Sequence, residues 1–148
     1  MSTNMNTSVS YSATDNASYQ HAVLLVGRIL IALLFTYFGY LKLTNWGGSV
    51  GYFTKWGFSE MPVVAAALAV IFELGGGILL IIGWKTRWVA WALFVYVIVA
   101  TLIVHKFWTY EPAQVFNQTS HFFKNVSIMG GLLLLAAVGP GRYSVDKV

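Results

Sequence analysis

Glu73 stands near the middle of an otherwise apolar run from Pro62 to Gly83, inside the stretch AVIFELGGG at residues 69–77. At about 11 residues from either end of the run, it lies about 15 Å deep at ~1.5 Å per residue. Inserting an acidic group at mid-helix costs about 2.5–3.5 kcal/mol, and intramembrane ionisable residues are functional candidates by default. The carboxyl must therefore have a cationic partner, carry a proton, or open onto a water-filled cavity. Arg28 is the expected partner. It lies about five residues into an earlier apolar run, roughly 7.5 Å below the surface, which leaves a vertical gap of about 7.5 Å that an extended Arg spans. Arg28, Phe35 and Lys42 are spaced by seven and share one helix face. An Arg28–Glu73 pair inside the bundle would fix the helices against each other or relay a proton, and a purely structural ion pair is an equally good reading.

A second constellation gathers where apolar runs end. Lys42 closes the first run, His105 and Lys106 close a third, Lys124 and Asn125 open a fourth, and Gln118 and His121 come just before. Lys42, His105, Lys124 and Asn125 are the expected ligand-binding set, because ammonium, imidazole and amide donors suit an anion or the carbonyl oxygens of a quinone. Such residues at helix ends also read as plain interface anchors. Two histidines and one deep carboxylate do not have metal-ligand spacing, so no metal site is expected. GGG in mid-helix lacks the strand–turn–helix setting of a phosphate loop. No nucleophile–base pair is legible, so the catalytic residues, if any, are unassigned.

The elements that must position these groups follow from composition. Of 148 residues, 57% are hydrophobic and 9% charged, where soluble domains carry about 25% charge. The chain reads as an all-α integral membrane protein, a four-transmembrane-helix bundle surrounded by the lipid bilayer. Four runs approach the ~20 apolar residues that a span requires: 21–41, 62–83, 87–106 and 121–138. Gly39, Ala65, Ala69, Gly76 and Gly77 are the expected helix-packing residues, since small side chains let helices approach closely. Trp84-Lys85-Thr86 makes a tight turn, Pro62 suits a first helical position, Ser120 suits an N-cap, and Gly139-Pro140-Gly141 is a stop signal. Residues 1–20 are polar, lack Lys and Arg, and read as a disordered tail rather than a signal peptide; residues 21–148 form the membrane domain. Four spans put both termini and the short turn on one side, here the N side, and two longer loops on the other, the loop side. Lys and Arg near or beyond the run ends number four against four (Lys85, Arg87, Arg142 and Lys147 on the N side; Lys42, Lys55, Lys106 and Lys124 on the loop side), and Arg28 tips the expectation toward cytoplasmic termini.

The net charge of +4 is scattered singly, without the basic stripe of a nucleic-acid site. With no cysteine, thiolate chemistry within the chain is excluded.

In order along the chain, Arg28, GYLKL (39–43), Gly57 with Pro62, FELGGG (72–77), Thr86-Arg87, HKFW (105–108), FFKN (122–125), Gly130-Gly131 and GPGRYSVD (139–146) resemble the DoxX family over residues 22–147. The resemblance implies a bacterial inner-membrane four-helix bundle, with some relatives forming part of a thiosulfate:quinone oxidoreductase and others linked to quinones or oxidative stress. It suggests a quinone-linked redox component whose cofactor is a non-covalently bound quinone. A soluble or membrane redox partner and a homo-oligomer are the associations this leaves open. The alternatives are a non-catalytic membrane scaffold for a redox partner and a small transporter.

Overall fold

A computed structural model of the chain describes residues 5–146. The described residues contain helices and no strand: α1 (Met5–Thr44), α2 (Trp46–Lys55), α3 (Pro62–Val70), a π-helical turn (Ile71–Gly75), α4 (Gly76–Ile82), α5 (Thr86–Val104), a 3-10 turn (Phe107–Thr109) and α6 (Pro112–Val138). Four segments are long and apolar enough to cross a membrane: Ser18–Thr44, Pro62–Ile82, Thr86–Thr109 and Pro112–Val138. The four-helix membrane architecture expected from composition is the one observed.

Several ends differ from expectation. Helix α1 begins at Met5, so residues 5–20 continue the first span as helix rather than forming a disordered tail; residues 1–4 of that expected tail lie outside the described residues. No Gly or Pro interrupts the chain before Gly27, and adding a turn to an existing helix avoids the cost of nucleation. The last span starts nine residues early, at Pro112, whose ring suits the first helical turn. Ser120 is therefore not an N-cap. It lies inside α6, where its hydroxyl donates to the Phe116 carbonyl one turn back at 2.9 Å. The first loop holds the unanticipated α2, whose N-terminus is capped by Asn45 Oδ1 accepting from the Gly48 N–H at 3.3 Å.

The spans pack as antiparallel neighbours around Ala32, Phe35, Leu80, Ala90, Leu93, Val97, Leu132, Leu135 and Ala136. Alanines where helices approach and leucines between them fill this interior without polar atoms. The outward faces are apolar too, as at Leu30, Ile71, Trp88 and Leu134, which suits hydrocarbon rather than water.

Glycine sets the α1 register. A Cβ on Gly39 would come 2.8 Å from Leu74 Cα, and one on Gly77 would come 2.8 Å from the Thr36 nitrogen, so each glycine sits on the other helix's backbone. Gly76 faces Leu93 of α5 instead. On α3, Ala69 is buried as expected, but the fully buried partner is Ala66, with Ala65 only half-buried.

The segment after α6 closes the N side. The Val145 and Asp146 N–H groups donate to Ile82 and Gly83 carbonyls at 3.1 and 2.9 Å. The Asp146 carboxylate accepts from the N–H groups of Lys85 and Thr86 at 2.8 and 2.9 Å, capping the start of α5. Burial works against that charge, but the Thr86 and Lys85 N–H groups, helped by the Arg28 charge, outweigh it and hold the Asp146 carboxyl below the usual carboxylate range. Arg87 in turn donates to the last carbonyls of α6, from Ala136 at 3.1 Å and Val138 at 3.0 Å.

Candidate functional site

Glu73 occupies the π-helical turn between α3 and α4 and is 8% exposed. Such turns are rare single-turn bulges, frequent at functional sites. Its two oxygens have different partners. Oε2 accepts from the Lys42 ammonium of α1 at 2.6 Å, an ion pair. Oε1 accepts from the Tyr96 hydroxyl of α5 at 2.6 Å. The Tyr96 ring stacks on Phe72 with centroids 5.4 Å apart, which fixes the hydroxyl's direction. Three elements thus converge on one carboxylate.

The expected Arg28–Glu73 pair is not formed. Gly39 against Leu74 places Glu73 beside the loop-side third of α1, whereas Arg28 is about 11 residues further toward the N side, roughly 16 Å along the helix. Measuring each group's depth from the end of its own apolar run misplaced both, because it ignored the register that the glycines impose. Arg28 instead donates from Nη1 to the Pro140 carbonyl at 2.9 Å and from Nη2 to the Tyr143 and Ile81 carbonyls at 2.6 and 3.4 Å. It is 2% exposed and serves the closing segment, satisfying carbonyls that a lipid environment cannot.

The expected ligand set divides in two. Lys42 belongs with Glu73. His105, Gln118, His121 and Asn125 gather between α5 and α6: His105 Nδ1 is 2.8 Å from Gln118 Oε1, the His105 and His121 rings stack with centroids 5.0 Å apart, and Asn125 Nδ2 donates to Thr101 Oγ1 at 2.9 Å. Lys124 is exposed and joins neither group by a hydrogen bond or ion pair among the described residues. Among those residues no group of three or more His, Cys, Asp or Glu could hold a metal ion.

A cleft of about 400 Å³ opens beside the ion pair, lined by Phe38, Leu41, Lys42, Asn45, Gly48, Ser49, Tyr52 and Phe53. Lys42 reaches it from α1, with its ammonium 5.7 Å from the Phe38 ring centroid. Ser49 is buried and donates to the Lys42 and Asn45 carbonyls at 3.0 Å, tying α2 to the end of α1. Burial, the neighbouring Tyr110 and the Glu73 charge push the Tyr52 hydroxyl above its ordinary range, so it remains a neutral donor. Tyr96 and Tyr52 carry no charge and stand among other aromatic residues, so residue type does not mark their hydroxyls as site groups; packing brings them to Glu73 and the cleft.

The DoxX family model matches residues 23–106. The chain is 36% identical over 133 residues to the inner membrane protein YphA of Escherichia coli, covering 90% of this chain and 94% of that protein. It is 34% identical over 124 residues to the inner membrane protein YqjF of the same organism, covering 84% and 89%. A Surfeit locus protein 4 homolog of Schizosaccharomyces pombe is 33% identical over 126 residues, 83% of this chain but 36% of that protein. No solved structure matches.

Proposed function

The chain belongs to the DoxX family of inner-membrane proteins, and from that premise we propose that it is the quinone-binding component of a redox assembly. The observation that carries the reading is the Lys42–Glu73–Tyr96 network beside an aromatic-lined cleft. Ligand clefts are mostly apolar with a few placed polar groups, and the lining here, aromatic and aliphatic side chains around Lys42 and Asn45, has that composition. Phe38, Tyr52 and Phe53 supply ring faces for a flat headgroup. The Lys42 ammonium has N–H donors beyond the one given to Glu73, and these suit a carbonyl oxygen.

Of the two ligand types that the sequence suggested, charge supports the quinone over an anion that enters without a proton. Lys42 and Glu73 together are neutral, so a neutral carbonyl ligand enters without an uncompensated charge, whereas a free anion brings one into a poorly solvated place. A quinone supplies two-electron redox chemistry when bound. Lys42 would orient its carbonyl, Glu73 would hold Lys42, and the rings would exclude water. Electrons would come from a redox partner, and the termini, with Arg28 on their side, would face the cytoplasm. A fluorescent protein fused to the C-terminus stays dark if that orientation is reversed.

Purification in mild detergent followed by organic extraction tests the binding. Quinone is expected at near one per chain in the wild type and at least tenfold less in Lys42→Met. A well-folded, quinone-free protein that also fails to bind added 1,4-naphthoquinone would favour the scaffold reading instead.

A further inference from the structure

We propose that the same cleft also takes an anionic amphipath, and that each anion enters together with one proton, which Glu73 receives. This rests on the ligand site just described and extends it to a second ligand class. The cleft wall presents an ammonium from Lys42, an amide from Asn45 and a hydroxyl from Tyr52, with no carboxylate among its lining residues; the Ser49 hydroxyl is already given to backbone carbonyls. The Oδ1 of Asn45 is occupied by the Gly48 N–H, which leaves its NH₂ as a donor. Glu73 does not line the cleft. It sits behind Lys42, with 11% of its side chain exposed against 23% for Lys42. From the cleft, the wall is a set of donors around one cation; from the bundle, that cation is already neutralised.

An anion bound to Lys42 would leave two negative charges sharing one ammonium in a poorly solvated place. A like charge disfavours ionisation of a carboxyl, so the arriving anion drives a proton onto Glu73. The titratable groups that face Glu73 are Lys42 from α1 and Tyr96 from α5, with Tyr52 from α2 close enough to sense its charge. Neither α3 nor α4, the remaining elements packed on the π turn, carries a titratable side chain. Glu73 is thus the one group among these that can take up a proton when an anion engages Lys42, because an ammonium and phenol hydroxyls have no site for another. Tyr96 continues to donate to Oε1 in either state. The proton comes from water at the loop-side mouth, and no covalent bond in the ligand changes. A neutral quinone, by contrast, leaves the Lys42–Glu73 pair intact and takes up nothing.

The test uses the full-length protein in dodecyl maltoside and two probes that differ in charge: 1,4-naphthoquinone, and 2-hydroxy-1,4-naphthoquinone over the pH range where its hydroxyl is ionised. Calorimetry at one pH in buffers of different ionisation enthalpy counts protons. The expected result is about one proton taken up per hydroxynaphthoquinone anion and none for naphthoquinone, with anion affinity falling about tenfold per pH unit as pH rises. In Glu73→Gln the proton uptake and the pH slope disappear, and the anion binds more tightly because Lys42 has no internal partner. Anion binding without proton uptake in the wild type overturns the inference while leaving the quinone site standing, and this count does not depend on any variant folding. Uptake that persists in Glu73→Gln overturns the assignment to Glu73. If neither probe binds, the quinone reading fails and takes this one with it.

Discussion

The two ends of the bundle use charge in opposite ways. On the N side, Arg28, Arg87 and Asp146 all bond to the backbone: to the carbonyls of Ile81, Pro140 and Tyr143, to the end of α6, and to the N–H groups that open α5. On the loop side, Lys42 and Glu73 bond to each other and to the Tyr96 hydroxyl. Backbone groups cannot leave, so the N-side charges are fixtures whose removal strands polar groups away from water. Side chains can exchange partners, and a ligand can replace one member of a pair. The same residue types therefore read as scaffold at one end and as a site at the other.

The sharpest way to break this contrast is Arg28→Leu. It removes a cation from three backbone carbonyls, where each hydrogen bond to a charged group is worth about 1.5–3 kcal/mol. We expect a loss of about 3 kcal/mol in detergent unfolding and faster proteolysis after Gly139. An unchanged melting curve would show that the closing segment does not need Arg28.

Asp146→Ala should cost less, about 1 kcal/mol at neutral pH, the usual range for losing a helix cap and already small because the group is partly solvated. Its folded-state carboxyl titrates below the unfolded one, so the contribution is complete above the ordinary carboxylate range and disappears as pH falls through the depressed value. The wild-type advantage over Asp146→Ala should therefore narrow below about pH 4; a gap that widens there contradicts the assignment.

The smallest stability effect is expected for Glu73→Gln, under about 1 kcal/mol, because Lys42 is near enough to the loop side to turn its ammonium toward water. Combined with Arg28→Leu, the two losses should add within about 0.5 kcal/mol, as for sites that share no partners. A larger coupling would revive the direct pair that the geometry excludes.

Much of this was legible in the chain, unevenly. The spans are fixed by run length, and the tight turn at Trp84–Thr86 makes the following helix antiparallel. That turn also contained an unused clue. Glu73 precedes it by about as many residues as Tyr96 follows it, so the two had to lie at the same depth, and counting outward from the turn would have paired them. By residue type the buried acid is the natural partner for Arg28, whereas GPGRYSVD supplies two of the three carbonyls it binds. Ser120 resembles an N-cap, whereas α6 opens further upstream at Pro112, whose ring suits the first helical turn without any side-chain cap.

The sequence by itself determined that this is a membrane protein of four helices with an acid it cannot leave unpartnered, because hydrocarbon tolerates neither unpaired backbone nor lone charge. Which cation answers that acid was decided only by tertiary structure. Gly39 seated on Leu74 and Gly77 seated on Thr36 slide α1 to one register along α3–α4, and that register brings Lys42, not Arg28, to the turn that holds Glu73. Apolar periodicity is nearly the same at every turn of a lipid-facing helix, so it could not choose between them; only backbone-to-backbone contact at particular glycines could.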